Sequence, residues 1–463
     1  MHNTPIKLLI ILLVIMHNNG YLPSNKNQST FTNTTALIKI YEDKTLATSL
    51  VTVNEPWITL YSITLSGNIG DLLRIRGQME MTNENKKVIR GHSRIAINGQ
   101  EFGTRCSQNC VYIAPNDDSH HVPLWVDAGF NIMENIKYTI ELQFKATSTK
   151  NKLKLNIENR NNNYGHLIVE HFRPYASINE VKDNGGYGLL NYAIDDKEQS
   201  TTFGAIAGER STIYEVKLLT KKDDIVRLFG QTTSKYLEKP RADMHGHGIY
   251  LNNIRISQWS TENTPWSIQT VPLYSDAFIV ANSSLSNIFS VKMHGIMGNG
   301  GDYVFDGGHL IALHFRKQSN NDSRLKYLYD IKTIKGSRVD EELISNSGWI
   351  DIISHQCDFL VNDLIKINGF IQLEESPKFK LGVNCSAEIL LIKSGKIVGR
   401  SSLSQKYMTK YLEHLPLYVD HIHEIKESGV YNIILRAMCL RRESDPVLSI
   451  LGGRSQIIID HYR

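Results

Sequence analysis

The sequence predicts an all-β protein of three tandem antiparallel β-sandwich domains, jelly-roll-like in design. The first observation is a triple repeat. An opening segment, residues 71–77, returns at 224–230 and 363–369. Each copy begins with Asp (Asp71, Asp224, Asp363), carries a cation at its fourth place (Arg74, Arg227, Lys366) and ends in Gly. A middle segment, residues 121–127, returns at 270–276 and 414–420 with the pattern Pro-Leu-aromatic-x-Asp, ending in Asp127, Asp276 and Asp420. A closing segment, residues 166–173, returns at 309–316 and 456–463 and ends in His-aromatic-Arg. The order is kept and the period is about 145 residues, so whole domains are repeated rather than the short units of a solenoid.

The second observation is local. Residues 57–65, 72–79, 94–97 and 138–144 are short runs rich in β-branched and aromatic side chains, separated by Asn, Gly, Asp and Ser clusters. That is the pattern of antiparallel strands joined by turns. Residues 152–158 alternate charged and apolar, as a strand with one wet face does. The third observation is length: 463 residues exceed one ordinary core and suit about three. Each repeat offers about eight strands, and the fully apolar closer, as in Leu167-Ile168-Val169, reads as a central strand covered on both faces. These features favour a jelly roll over an immunoglobulin-like sandwich, whose Cys and Trp spacing is absent.

In chain order, residues 1–20 read as a secretory signal peptide: Lys7 precedes a short apolar run that is about half the length needed to span a bilayer. Residues 21–35 are a polar lead-in. The first sandwich covers residues 36–175, a linker 176–188, the second sandwich 189–317, a linker 318–324 and the third sandwich 325–463. Residues 298–302 read as a hairpin tip, and residues 408–414 have the spacing of a short helix. Matching domain lengths and short linkers predict packing about an intrachain pseudo-threefold.

Export sets the cysteine and sequon readings. Sequons stand at Asn27, Asn33, Asn282, Asn321 and Asn384. Cys106 and Cys110 are close enough for a small local disulfide. Cys357, Cys385 and Cys439 all fall in the third repeat, where two can bridge and one is left over. The Asn384 sequon has Cys385 at its centre, which competes with a glycan there.

Several constellations invite chemistry. The recurring Asp127, Asp276 and Asp420 would suit a repeated calcium site, but one carboxylate is far short of the six or more oxygens calcium takes. The preferred reading is structural: each caps a turn or pairs with Arg74, Arg227 and Lys366. His171, His314 and His461 stand beside an Arg like a general base at an anion site, yet no nucleophile recurs near them, so they read as polar strand ends. His245 and His247 alternate on one strand of the second repeat, and His120–His121 and His421–His423 are similar loose pairs. None has an evident third metal ligand. Trp57 and Trp349 hold equivalent places and read as core. Trp259 and Trp266 flank a polar loop without counterpart in the other repeats, which makes them the candidate ligand contact.

A net charge of +4 spread along the chain does not argue for nucleic acid. No stretch beyond the leader is long and apolar enough to span a membrane, and no cofactor or metal motif is present. The functional expectation is a secreted, non-enzymatic protein of adhesion, matrix or glycan and protein recognition. Its partners would be an extracellular protein, a glycan or further copies of itself. The alternative is a secreted hydrolase or toxin with its site in the divergent second repeat.

Overall fold

The computed structural model describes residues 36–47, 50–82, 89–102, 121–148, 154–157, 165–173, 187–196, 202–204, 210–236, 243–258, 260–264, 270–295, 302–317, 326–336, 341–344, 348–375, 383–408, 414–440, 447–450 and 454–463. All belong to one compact unit, Thr34–Arg463. The segments read as signal peptide and lead-in lie outside the described residues. So does the second linker.

The first domain holds β1 (Ala36–Asp43), β2 (Leu50–Thr52), β3 (Ile58–Ser66), β4 (Leu72–Thr82), β5 (Arg90–Ile97), β6 (Gln100–Phe102), β7 (His121–Asn131), β8 (Lys137–Thr147), β9 (Lys154–Ile157) and β10 (His166–Arg173). The second holds β11 (Tyr187–Asp195), β12 (Thr202–Gly204), β13 (Ser211–Thr220), β14 (Ile225–Tyr236), β15 (Asp243–Leu251), β16 (Ile254–Arg255), β17 (Ser260–Thr264), β18 (Thr270–Val280), β19 (Leu285–Gly295) and β20 (Asp302–Lys317). The third holds β21 (Leu328–Lys335), β22 (Glu341–Ile344), β23 (Ile350–Phe359), β24 (Leu364–Glu375), β25 (Val383–Lys393), β26 (Lys396–Arg400), β27 (Ser404–Met408), β28 (His414–Glu424), β29 (Gly429–Leu440), β30 (Val447–Ile450) and β31 (Gln456–Tyr462). Residues 187–188, assigned to a linker from sequence, already belong to β11. The short helix expected at 408–414 is not formed at its ends: Met408 closes β27 and His414 opens β28.

Each domain is a jelly roll. One sheet runs β1-β10-β4-β7 in the first domain, β11-β20-β14-β18 in the second and β21-β31-β24-β28 in the third. The facing sheets run β3-β8-β5-β6, β13-β19-β15-β16 and β23-β29-β25-β26. Neighbours are antiparallel, and this strand order is the double Greek key of a jelly roll. The closers β10, β20 and β31 are central strands, as their apolar runs predicted.

The closer's central run is apolar on both faces because it serves two cores. In β31, Ile457 and Ile459 enter the third domain's own core, while Ile458 and Tyr462 point to the opposite side. The openers alternate in the same way: Leu73 and Ile75 face the first sandwich, and Leu72 faces outward from it into a shared cluster. The recurring seventh-place glycine marks where the two sheets of a domain come closest. A Cβ on Gly77 would meet Leu142 at 2.7 Å, one on Gly230 would meet Val291 at 2.8 Å, and one on Gly369 would meet Leu435 at 2.8 Å.

The opener's Asp and the closer's His-x-Arg form one clamp, made three times. His171 Nε2 lies 2.8 Å from Asp71 Oδ2, and Arg173 Nε donates to Asp71 Oδ1 at 2.9 Å. His314 and Arg316 hold Asp224 at 2.7 Å each. His461 and Arg463 hold Asp363 at 2.7 and 3.0 Å. Each Asp also accepts from the backbone N–H three residues earlier, from Asn68, Lys221 and Leu360. The residue before each Asp has positive φ and is Gly70, Asp223 or Asn362, types that tolerate that conformation. The clamp therefore ties the turn ahead of the opener to the end of the last strand.

In the third domain Cys385 of β25 faces Cys439 of β29 in register and is disulfide-bonded to it, and Cys357 is a buried free thiol. The bridge closes a loop with a sequence separation of 54. Replacing both bridging cysteines by Ala should lower stability by about 2–4 kcal/mol, read from urea unfolding without reductant.

Candidate functional site

The three inner sheets turn their outer faces toward one another, and the repeated motifs meet there. One hydrophobic cluster collects equivalent residues of every domain: Leu37, Leu189 and Leu328; Leu72, Ile225 and Leu364; Phe172, Phe315 and Tyr462. β11 pairs with β21 at Tyr187 and Leu328, and Leu37 bridges to Lys326, so the sheets also touch through their first strands. Burying each such side chain contributes about 1.5–3 kcal/mol.

Within this apolar surround lies an ionic network. Arg74 of the first domain donates to Asp127 at 2.7 Å and to Glu170 at 2.6 Å, both in its own domain. Its guanidinium also lies 3.3 Å over the ring of Phe229 in the second domain. Arg227 of the second domain binds its own Asp276 at 2.8 Å and reaches Asp460 of the third at 2.9 Å. Lys366 of the third domain donates to Glu170 of the first at 2.7 and 2.8 Å. The recurring cation thus reaches the next domain in cyclic order, first to second, second to third, third to first. That cyclic pattern agrees with the pseudo-threefold expected from sequence.

The network departs from threefold symmetry where the second domain has Leu313 in place of the closer's acid. Arg74 accordingly meets an aromatic ring instead of a neighbouring carboxylate. Asp420 also departs from expectation. It does not pair with Lys366, whose ammonium is taken by Glu170. It lies 3.0 Å from Arg76 and 3.1 Å from His166, both in the first domain. Burial pushes the Asp420 carboxyl upward, but Arg76 and His166 overcome this and hold it well below the usual range. Glu170 is likewise held low by Lys366 and Arg74 against its burial. Burial pushes Lys366 down to about 8.

The middle motif's aromatic completes the junction. Tyr418 accepts from the backbone N–H of Tyr274 at 3.2 Å and contacts Ser260 of β17. The Tyr274 hydroxyl reaches Asp127 at 3.4 Å. A cavity between the domains is lined by Arg76, Tyr274, Ser275, Asn368, Phe370 and Tyr418 among others. Its volume, about 20 Å³, is near the roughly 10–15 Å³ that one water needs, so it is not a small-molecule pocket.

Other sites read from sequence fall as follows. Asp127, Asp276 and Asp420 are buried at domain contacts and are structural. His171, His314 and His461 belong to the clamps. His247 is fully buried, and its Nδ1 lies 2.9 Å from Thr232 Oγ1. The side chain of His245 lies outside the described residues. His421 is buried as well. Among the described residues, no group of three or more His, Cys, Asp and Glu could hold a metal. Trp259, Trp266, Cys106, Cys110, Asn27, Asn33 and Asn321 lie outside the described residues. Asn282 is exposed in the turn between β18 and β19. Asn384 sits within β25 between Leu440 and Tyr407, and its Oδ1 is buried, which does not suit a glycan.

The sequence reads Trp57 and Trp349 as core, and the structure corrects this. Each is partly exposed under an arginine, Arg94 at 4.3 Å and Arg436 at 4.6 Å from the ring centroid. Sequence reasoning also passed over Glu170, Asp460 and Arg76. A signal existed for the first two: an acid inside an otherwise apolar closer is a buried charge that must find a partner.

No family model matches the chain, and no curated protein does either. Solved structures similar to it include the CBM22-1–CBM22-2 tandem domain of a Paenibacillus barcinonensis protein. The identity is 8%, covering 61% of this chain and 98% of that one, with a TM-score of 0.17. The triple jelly roll protein of an archaeal virus turret is 9% identical, over 88% of this chain and 85% of that one, with a TM-score of 0.15. A structure from the Gt strain of infectious bursal disease virus is 7% identical, over 94% and 84%, with a TM-score of 0.21. Among the described residues no helix is long and apolar enough to cross a membrane.

Proposed function

We propose that the chain is a secreted, non-enzymatic binding or assembly protein. Three jelly rolls locked at their inner sheets would act as one rigid body that offers its outer sheets and turns to a glycan, an extracellular protein or further copies. The observation that carries this reading is the engagement of the recurring polar residues. The clamp Asp, His and Arg and the recurring cations with their acids hold strands or domains together, so this part of the repeat is scaffold. What differs between domains, the outer sheets and the turns, is then where specificity resides. The exposed Asn282 sequon supports a route through a secretory pathway.

The test is secretion from intact cells, followed by a broad glycan and extracellular-protein array and sedimentation over a range of concentrations. A discrete ligand or concentration-dependent self-association is expected. A blank array from a protein that stays monomeric throughout would sink the reading.

A further inference from the structure

The outer sheet of the second domain gathers three cations around one tyrosine. Ile249 of β15 enters the core, so Tyr250 beside it points to the outside. Its ring is nevertheless buried, because cations cover it. The Arg210 guanidinium lies 5.5 Å from the ring centroid and Lys292 Nζ lies 5.8 Å from it. Arg255 stands directly opposite Tyr250 across the β15–β16 ladder. Lys292 Nζ is held by Asn253 Oδ1 at 2.6 Å. Asn252 and Asn253 form the two-residue turn of that hairpin, both with positive φ, which fixes the hairpin tightly.

The third domain treats the equivalent place differently. The N–H groups of Ile249 and Ile389 each donate to a serine, Ser257 and Ser401, at 2.8 Å, which aligns the two strands. The preceding residue is Gly248 in one and Glu388 in the other, facing Lys292 and Arg436 across the ladder. Glu388 neutralises Arg436 at 2.7 Å and lies 3.4 Å from Arg400. Gly248 supplies no charge. Among the described residues neither Arg210 nor Lys292 has a carboxylate partner. The carboxylate closest in register, Glu215, lies across Ser290 and pairs with Lys217 at 3.6 Å.

We propose that this patch binds the acidic groups, sulfate or carboxylate, of a glycan chain. The inference rests on the reading of the chain as a binding protein and names the ligand class. Guanidinium groups match the paired oxygens of such anions, and Lys292 adds a positioned point charge. Arg210 and Lys292, the two without a carboxylate partner among the described residues, suit one or two acidic groups rather than the six to ten phosphates that a duplex-binding protein engages.

The full chain is tested on immobilised heparin, which is sulfated, and on hyaluronan, which carries carboxylates alone. Binding should weaken as salt rises. Arg210→Gln with Lys292→Gln should weaken it about five- to tenfold. A control pair on other surfaces, Lys137→Gln with Lys426→Gln, should leave it within about twofold, and an unchanged urea midpoint shows that each variant is folded. Binding to heparin alone identifies sulfate as the source, and binding to hyaluronan identifies carboxylate. No binding to either polymer, or equal loss in both pairs, overturns the proposal. That outcome leaves an array hit or self-association standing, so the broader reading fails only on its own test.

Discussion

Acidification from pH 7.5 to 4.5 should cost this protein more than 5 kcal/mol of stability, most of it before carboxylates titrate. Three buried histidines cause this. Burial pushes His247 and His421 down to about 3 and His309 down to about 4. In the unfolded chain each takes up a proton below about pH 6.5, whereas in the folded protein each stays neutral until far lower pH. The unfolded state therefore binds more protons in this window, and stability falls as pH falls through it. At pH 4.5 each histidine contributes about 2–3 kcal/mol of loss. The sum is comparable with the whole stability of an ordinary domain, about 5–15 kcal/mol.

Below about pH 4 a second loss follows, from groups of opposite behaviour. Burial raises Asp71, Asp224 and Asp363, but hydrogen bonds from the clamp His and Arg prevail and hold them low. Stability from such carboxylates is present above their unfolded value and is lost as pH falls toward the folded one. Urea midpoints at pH 7.5, 6.0, 4.5 and 3.5 read both losses. A midpoint that stays flat from 7.5 to 4.5 would mean that the three rings are hydrated or protonated in the folded protein.

Glu170→Gln should destabilise the chain by about 3–5 kcal/mol, the range for breaking a buried pair from one side. Glu170 is 1% exposed and holds both Lys366 and Arg74. Its loss leaves the Lys366 ammonium buried at the contact between first and third domains, whereas Arg74 keeps Asp127. Adding Lys366→Met should restore much of the loss, because an apolar replacement of both partners avoids the unpaired charge. Removing the exposed Lys426–Glu424 pair should leave the urea midpoint in place. If Glu170→Gln behaves like that surface pair, the network is wetter than its burial indicates. The network's role is then best seen as register: an apolar surface alone would let the three sheets slide, while fixed charges admit one mutual placement.

The architecture was legible because duplication writes the same constraint three times. Opener, middle and closer kept Asp71, Gly77, Pro123 and His171 with their counterparts, and strand alternation supplied the rest. Even the fully apolar closer announced a strand covered on both sides. The contacts between domains were not legible, because the partners are hundreds of residues apart: Arg76 and Asn368, Arg227 and Asp460, Lys366 and Glu170. Nothing local distinguishes a cation that faces water from one that faces another sheet.

The outer-sheet patch was hidden for the same reason. Arg210, Tyr250, Arg255 and Lys292 come from four strands or strand ends, and Gly248 signals only by comparison with Glu388 once the ladders are in register. The sequence by itself determined the class, the number of domains and the central place of each closing strand, since periodicity and turn chemistry act within a few residues. Tertiary structure alone decided which charges are buried and which are paired. Those properties depend on what packs opposite a side chain, and the chain supplies that surface from another domain.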